Sequence, residues 1–165
     1  MKAASRWSRR GQTPVIRTSI EHHERLNLLG VLLISPNGKR IRLSLQTYWH
    51  SLTGKEVIAL LQQILRGVPG PIVLVWDRHP IHKRKIVQEF LAEHKRLHVY
   101  YFPVAAPALN PVEFVWTQIS EYTAGTAPHN HDELKTHVLA GIARTRNSQK
   151  RLRACLLGSR LNWIN

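Results

Sequence analysis

Two acidic residues, Asp77 and Glu113, are the side chains of this sequence best placed to do chemistry. Asp77 follows an apolar run, Ile72 to Trp76, which predicts a strand buried on both faces. Glu113 follows the pair Asn110-Pro111, which is typical of a helix start, so Glu113 falls in the first helical turn. Carboxylate oxygens are the ligands that hard divalent cations prefer, and Mg²⁺ takes one or two of them with phosphate and water. The pair therefore predicts a cation site, provided that both carboxylates reach one edge of a sheet.

The predicted order of elements brings these carboxylates to one edge of an α/β sheet. Two alternating apolar runs joined by Asn37-Gly38 predict a hairpin, and the strand before Asp77 and a later strand are joined by a helix, which makes them parallel. Ligands of open α/β sheets bind beyond the carboxyl ends of parallel strands. The elements are two strands (Leu26 to Ser35, Ile41 to Tyr48), a helix from Thr53 to Gly67, a strand (Ile72 to Trp76), a helix (Ile81 to Lys95), a strand (Leu97 to Phe102) and a helix after Asn110.

Several apolar side chains are predicted to face the core. Thr53 and Glu56 have the spacing of a capping box, and a C-terminal helix begins near Asp132. Glu113 has a second interpretation, in which it only caps the helix, a position where a carboxylate also suits the helix dipole. The predicted core residues include Trp49, Trp76, Trp116 and Trp163, Ile86 and Val87 of the second helix, and Leu134, Val138, Leu139 and Ile142 of the C-terminal helix.

Composition indicates one basic domain. The chain has 165 residues, 43% of them apolar, and a net charge of +14, which favours a polyanionic partner such as nucleic acid or, alternatively, a merely basic or ribosome-associated surface. A single cysteine, Cys155, excludes an internal disulfide and an all-thiolate zinc site, and it fits a reducing cytosol. No apolar stretch approaches about 18 residues, so we expect neither a membrane span nor a signal peptide.

Two motifs resemble those of the mariner-related bacterial insertion-sequence transposases. Asp77-Arg-His-Pro-Ile-His82 is similar to their Asp-Asn-x-x-x-His motif. Phe102-Pro-Val-Ala-Ala-Pro-Ala-Leu-Asn-Pro-Val-Glu113-Phe-Val-Trp116 is similar to their Leu-Pro-x-Tyr-Ser-Pro-x-Leu-Asn-Pro-Ile-Glu-x-x-Trp motif. The resemblance implies a DDE endonuclease domain with a ribonuclease H-like mixed sheet, an antiparallel hairpin followed by parallel strands with flanking helices. Weaker similarity extends from Trp7 to Leu156.

Carried over residue by residue, the resemblance makes Asp77 and Glu113 the second and third catalytic carboxylates and the ligands of a pair of Mg²⁺ or Mn²⁺ ions. His82 would orient a carboxylate or contact the scissile phosphate, with Asn110 in support. The basic residues expected to contact DNA are Arg78, Lys83, Arg84 and Lys85 beside Asp77, and Arg9 and Arg10 in an irregular arm over 1–20. Arg78 departs from the motif, which has Asn at this position.

The first catalytic carboxylate of the motif is missing. It would lie on a strand before Trp7, where only Met1 to Arg6 stand, and Asp132 comes too late in the chain to replace it. That strand would lie between the hairpin and the Asp77 strand, so we expect a gap of unpaired backbone groups and low stability, unless Thr13 to Ser19 or another segment pairs there.

The expected function is metal-dependent DNA cleavage and strand transfer by one catalytic domain over 1–165, with a helical tail over 130–165. We expect it to be inactive alone. The alternative is a non-catalytic, basic DNA-binding remnant or a regulator of the full-length transposase. The expected partners are DNA at the element ends and target, and either a homo-oligomer or an upstream-frame product, in the cytoplasm at the nucleoid.

Overall fold

A computed structural model describes residues 25–124, 126 and 128–161 of the chain. It begins with an antiparallel hairpin of β1 (Asn27–Ile34) and β2 (Ile41–Tyr48), paired in continuous register from Asn27 with Tyr48 to Ile34 with Ile41. The turn depends on Asn37, whose Oδ1 accepts a hydrogen bond from Lys39 N at 3.1 Å, and on Gly38, whose φ of 66° favours glycine. The predicted hairpin is confirmed.

The hairpin leads into α1 (Gly54–Gly67), which carries the predicted capping box. Thr53 N donates to Glu56 Oε2 at 2.7 Å, and Lys55 N donates to Thr53 Oγ1 at 3.2 Å. These bonds satisfy N–H groups that a helix start leaves without intrahelical partners. Local side chains therefore fix where α1 begins.

A parallel pair of strands follows, β3 (Ile72–Trp76) and β4 (Leu97–Tyr101), in register from Ile72 with Leu97 to Trp76 with Tyr101. The connection is a 3-10 turn (Pro80–Lys83) and α2 (Lys85–Glu93). A helix in the connection allows the second strand to run in the same direction as the first. The carboxyl ends of both strands consequently lie side by side, at Asp77 and Phe102.

Three helices complete the described chain: α3 (Pro111–Ala124), α4 (His131–Arg146) and α5 (Gln149–Gly158). Asn130 caps α4 by accepting from Glu133 N at 2.8 Å, and Ser148 caps α5 by accepting from Arg151 N at 3.3 Å. The cap at Ser148 divides in two what sequence periodicity presents as one helical tail. The mixed α/β architecture, with an antiparallel hairpin, a parallel pair and flanking helices, is the predicted one and is consistent with a ribonuclease H-like fold.

The two faces of the hairpin belong to two hydrophobic clusters. On one face, Ile41 and Leu43 of β2 pack with Val115 of α3, Leu152 of α5 and residues of α4. On the other face, Leu29, Val31 and Leu33 of β1 pack against the cluster that α1 and α2 build with β3 and β4. Strand alternation accounts for this division, because neighbouring side chains point to opposite faces. The hairpin is thus the layer that separates the two clusters.

The hairpin and the parallel pair form two separate sheets of two strands each. Among the described residues, no backbone hydrogen bond joins β1 to β3, as expected from a gap between them. The predicted alternative, in which Thr13 to Ser19 pairs in the gap, falls outside the described residues, as do the arm over 1–20 and Trp163.

Four burial predictions are wrong. Val73 is 67% exposed, so β3 is covered on one face only. Ile86 is 43% exposed in the first turn of α2, which begins at Lys85 and not at Ile81 as predicted. Leu139 is 45% exposed on α4, whereas Leu134, Val138 and Ile142 are buried as predicted. Trp49 lies at the surface beside His131 instead of in the core, at 5.5 Å between ring centroids.

No helix in the described part of the chain combines the length and the apolar character that crossing a membrane requires.

Candidate functional site

Asp77 stands at the carboxyl end of β3, directly after Trp76. Its Oδ1 accepts a hydrogen bond from His79 N at 2.9 Å, which turns the chain sharply away from the strand. Nearly half of the side chain, 49%, remains exposed. The rigid strand therefore presents a carboxylate at the sheet edge with oxygen atoms accessible to a ligand.

His82 comes back to Asp77 through the 3-10 turn. Its Nε2 lies 3.1 Å from Asp77 Oδ1, and its ring stacks on the indole of Trp76 with 4.1 Å between centroids and 22° between planes. The Nδ1 atom of His82 has no hydrogen-bond partner among the described residues. This arrangement favours the neutral tautomer that carries its proton on Nε2 and donates it to Asp77.

Burial lowers the pKa of His82, against the opposing effect of the Asp77 carboxylate. Low-polarity surroundings disfavour the charged imidazolium, and here burial outweighs the attraction of the nearby carboxylate. The neighbouring His79 ring, 6.2 Å away between centroids, lowers the pKa further. At neutral pH, His82 is therefore an uncharged hydrogen-bond donor that fixes the orientation of Asp77.

Glu113 is placed by the start of α3. Asn110 caps this helix, since its Oδ1 accepts from Val112 N at 3.2 Å and its carbonyl accepts from Glu113 N at 3.1 Å. Pro111 takes the first helical position, where its missing N–H leaves no intrahelical bond unmade. The predicted helix start is confirmed. Among the described residues, the side-chain hydrogen bond that caps this helix comes from Asn110, and Glu113 is the acidic residue of its first turn.

Asp77 and Glu113 lie close enough to interact electrostatically. The pKa of Glu113 is raised, first by partial shielding from water and then by the negative charge of Asp77. The two residues belong to different elements, the end of β3 and the first turn of α3, so only the fold brings them together. Like charges held in this way are stabilised by a cation. The end of β3 at Asp77 and the first turn of α3 at Glu113 therefore form an acidic site in an otherwise basic chain. We call this site the acidic rim.

Arg78, next to Asp77, contacts residues at the end of β4. Its Nε donates to Phe102 O at 3.0 Å, and its guanidinium carbon lies 5.7 Å from the centroid of the Tyr101 ring. These contacts tie the end of β3 to the end of β4. The structure thus shows Arg78 connecting β3 to β4 beside Asp77. Contact of Arg78 with DNA remains a prediction.

The other basic residues predicted to contact DNA are at the surface near the turn. Lys83 and Arg84 are exposed, and so is Lys85, whose Nζ lies 3.7 Å from Glu89 Oε1. Exposed pairs of this type are weak, so Glu89 holds Lys85 only loosely, and contact of these basic residues with DNA remains a prediction. Arg9 and Arg10 fall outside the described residues.

The two carboxylates suit one hard cation that also binds water and phosphate better than a metal site in which protein side chains supply every ligand. Asp77 and Glu113 supply carboxylate oxygens, whereas His82 directs its Nε2 at Asp77. Over 25–124, 126 and 128–161 no group of three or more His, Cys, Asp or Glu side chains has the geometry of a metal site. Two carboxylates suit Mg²⁺ or Mn²⁺ when phosphate and water complete the coordination.

Cys155 does not supply a reactive thiol to this site. Cys155 is buried in the other hydrophobic cluster, and burial raises the pKa of its thiol to about 11. A thiol that is protonated at neutral pH is a poor nucleophile. Its neighbour Gln118 donates a hydrogen bond from Nε2 to the Cys155 Sγ at 3.1 Å.

Trp76 and His79 have roles at the site that the sequence analysis did not predict. Trp76 was predicted only as a core residue, yet it also forms the surface on which His82 stacks. His79 received no role, although its N–H holds Asp77 and its Nδ1 accepts from Ile81 N at 3.3 Å. The sequence Asp77-Arg-His-Pro80 contains an indication of this turn, because Asp side chains often bind the backbone N–H two residues later.

One protein family and a solved structure are similar to this chain. Residues 1–135 match the family described as DDE superfamily endonuclease. No curated protein matches the chain. Among solved structures, a chain of the simian T-cell lymphotropic virus intasome in complex with the PP2A regulatory subunit B56 gamma is similar, with 14% identity and a TM-score of 0.44. The similarity covers 78% of this chain and 52% of that one, so the present chain spans about half the length of that neighbour. On the strength of the family match over 135 of its residues, the chain belongs to the DDE superfamily endonucleases.

Proposed function

We propose that this chain is the catalytic domain of a transposase of a mariner-related insertion sequence, with Asp77 and Glu113 as its cation ligands. The observation that supports the proposal is the placement of two carboxylates at the end of β3 and in the first turn of α3, where the negative charge of Asp77 contributes to the raised pKa of Glu113. DDE superfamily endonucleases generally use divalent metal ions. A divalent cation bound here would neutralise negative charge on a DNA phosphate and polarise the scissile bond.

Other side chains of this protein orient Asp77 and bind the DNA phosphates in the proposed reaction. Asp77 is held by His79 N–H and faced by His82, so its oxygen atoms keep a fixed direction. His82 is a positioning residue, because it acts on the carboxylate. Lys83 and Arg84, exposed on the turn that follows Asp77, bind the phosphates on either side of the reacting bond.

The raised pKa of Glu113 sets the pH dependence of the site. A ligand carboxylate must lose its proton before it binds a cation, so binding at Glu113 releases a proton. Cation affinity therefore rises with pH until Glu113 is fully ionised. We expect the chain alone to cleave DNA poorly, unless a further carboxylate or a partner completes the site.

A second candidate is a non-catalytic DNA-binding module. One observation favours it: the described residues contain no cluster of three metal-ligating side chains, whereas the whole chain carries a net charge of +14. In this case Arg78, Lys83 and Arg84 would serve binding alone, at the element ends or as an inhibitor of a complete transposase.

Cation binding and DNA cleavage separate these candidates. With Mn²⁺ as a paramagnetic probe, we expect NMR signals at Asp77 and Glu113 to broaden in the native chain and to persist in Asp77→Asn and Glu113→Gln. The matched control is Glu121→Gln, an exposed position on the same helix as Glu113. Nicking of supercoiled DNA is then measured with Mg²⁺ or Mn²⁺, beside a gel-shift assay of DNA binding. Undiminished DNA binding without Mn²⁺ broadening would refute the cation site and support the binding module.

A further inference from the structure

An open groove runs along the outer edge of β2, with an arginine on each side. Its volume is about 460 Å³, and its walls are β2, the last turn of α1 and the end of α4. The lining includes Arg42 and Leu43 of β2, Gln63 and Gly67 of α1, and Arg146 of α4. We call this space the β2 groove.

Hydrogen bonds hold α4 and α5 against this edge of β2. Arg146 donates from Nη2 to Leu45 O at 3.2 Å, which occupies only part of its guanidinium. Gln149 accepts from Ile41 N at 3.2 Å and donates to Ile41 O at 2.7 Å. Residues two apart on a strand direct their backbone groups to the same side, so the N–H of Leu43 points into the groove between these two contacts. The groove is thus a built feature with donors on its walls.

The β2 groove carries positive charge without compensating carboxylates. Among the described residues, no Asp or Glu lines it, and neither Arg42 nor Arg146 forms an ion pair. The stretch 25–55 contains five Lys or Arg residues and the stretch 134–161 contains seven, and neither stretch has an Asp or a Glu. Uncompensated positive charge in a concave surface attracts polyanions.

The positive surface continues around the hairpin turn. Lys39 and Arg40 are exposed on the turn, and Lys150 is exposed in the first turn of α5. Arg153 of α5 donates to Lys39 O at 3.0 Å, which joins α5 to the turn. Cations from the hairpin and α5 therefore extend the row that begins in the groove. A row of this kind suits a chain of phosphates better than one small anion.

The composition of the groove favours a duplex over a single strand. Within the described part of the chain, no aromatic side chain lines it. Proteins that bind single-stranded nucleic acid stack its bases on aromatic rings. A duplex keeps its bases stacked inside and offers phosphates at its surface, which arginine and lysine side chains bind.

The β2 groove and the acidic rim lie at opposite ends of α1. Gly54, the first residue of α1, lies against Ile86 and Val87 at the start of α2, directly after the turn that carries His82. The groove instead contacts Gly67, the last residue of α1. The helix has 14 residues, so at about 1.5 Å per residue the two sites are about 20 Å apart. This length corresponds to about six base pairs of DNA.

We propose that the β2 groove, with the cations around the hairpin turn, binds the phosphate backbone of duplex DNA away from the acidic rim. The inference takes DNA as the polyanion from the proposed function and adds a second contact surface to it. A flank of the duplex at the rim and a separate duplex present the same phosphates. Such contacts fix the position of the DNA without reading its sequence.

The test is DNA binding by the full 165-residue chain at several salt concentrations, in EDTA so that no divalent cation at the rim contributes. Arg42 and Lys150 are exposed, and neither side chain forms a bond among the described residues, so their replacement keeps the packing intact. With a duplex of about 30 base pairs near 0.1 M salt, we expect Arg42→Gln and Lys150→Gln each to weaken binding about five- to tenfold. Each should also reduce the slope of log K against log salt by about 1.

Lys135→Gln is the matched control for Lys150→Gln. It removes the same charge from an exposed position near the start of α4, whereas Arg146 is the last residue of that helix. Affinity and salt slope should both stay at the native values in this variant. An equal loss in Lys135→Gln and Lys150→Gln would show that only total charge matters, which overturns the proposal.

Amide NMR signals locate the bound DNA. In EDTA, the duplex should shift the N–H signals of Leu43 and Gly67, and Arg42→Gln should reduce these shifts by about half or more. One long duplex per chain, with shifts at Lys83 as well, would identify a flank of the same duplex. Two duplexes per chain would identify a separate one, and either stoichiometry supports the groove as a phosphate site.

Two NMR results would overturn the proposal. Bound DNA that leaves Leu43 and Gly67 unshifted would place the duplex elsewhere. Polyglutamate that shifts these signals as strongly as DNA, at equal charge concentration, would assign the groove to an acidic polypeptide. Neither result depends on cation binding at Asp77 and Glu113. Loss of Mn²⁺ broadening would refute the proposed function alone, and unchanged DNA binding in Arg42→Gln and Lys150→Gln would refute the groove alone.

Discussion

His82 Nε2 lies 3.1 Å from Asp77 Oδ1, so an imidazole buried against Trp76 directs its donor at the exposed carboxylate of the strand end. The pair joins the two parts of the acidic rim, the rigid end of β3 and the turn that follows it. A neutral His82 donates to Asp77 without neutralising it, and the carboxylate keeps its charge for a ligand. The protonation state of His82 is therefore a property of the site that solution measurements can follow.

The pKa of His82 should lie below the ordinary histidine value of 6.5. The unfolded state then binds more protons than the folded state between the two pKa values, so stability falls as the pH is lowered through that window. We expect urea unfolding to give a larger loss of stability from about pH 7.5 to about pH 5 in the native chain than in His82→Gln. NMR titration of the imidazole gives the pKa directly.

His98→Gln is the control for the His82 experiment, since His98 is exposed on β4. This variant should keep the pH dependence of the native chain. An imidazole at His82 that titrates above 6.5 would mean that attraction to Asp77 outweighs burial, which contradicts the order of effects described here.

Asp77→Asn should lower two pKa values at once. The negative charge of Asp77 raises the pKa of Glu113 and opposes the lowering at His82, so its removal shifts both downward. Carbon-detected NMR titration of Glu113 and proton NMR of His82 measure the two changes in one sample series. Glu121→Gln removes a carboxylate elsewhere on α3 and should change neither value. An unaltered Glu113 pKa in Asp77→Asn would mean that the two carboxylates do not interact.

Local sequence determined the parts of this fold that could be predicted well. The turn at Asn37-Gly38, the capping box of Thr53 and Glu56, and the helix start at Asn110 each depend on contacts within four residues. Motifs of this kind carry their own hydrogen-bond partners, so tertiary structure had little to add. Asp77 and Glu113 were placed correctly at a strand end and a helix start for the same reason.

The features that sequence missed depend on which faces become covered. Val73 belongs to a run that is indistinguishable from a strand buried on both faces, and only the tertiary arrangement leaves it 67% exposed. The helix predicted from Ile81 begins later because Arg84, with ψ of 137°, is extended and separates the 3-10 turn from α2. That break brings His82 back over Trp76. The stacking at the centre of the site thus arises from a backbone detail that periodicity does not contain.

Gly30→Ala should destabilise the contact between the hairpin and α3. A Cβ at this position would lie 2.9 Å from Trp116 Cη2 and 3.3 Å from Leu45 Cγ, so the indole has to move. We expect a loss of about 1–3 kcal/mol in the free energy of unfolding, measured by urea denaturation. The control is Gly67→Ala at the end of α1, where a Cβ meets no atom within 4 Å. It should be neutral or stabilising by up to about 1 kcal/mol, and an equal loss in both variants would refute the steric explanation.

Thr53→Ala should destabilise α1 in a way that depends on pH. Hydrogen bonds from the side chain and backbone of Thr53 lower the pKa of Glu56, so the stabilising effect of that carboxylate is present above its ordinary value of 4.5 and lost as the pH falls. Near neutral pH the variant should lose about 1 kcal/mol, and the difference from the native chain should shrink at about pH 3. Unfolding in urea at both pH values, with Ser51→Ala as an exposed control outside the cap, measures this difference. A difference that stays constant with pH would show that the Thr53 hydroxyl stabilises the helix through Lys55 N alone, without Glu56.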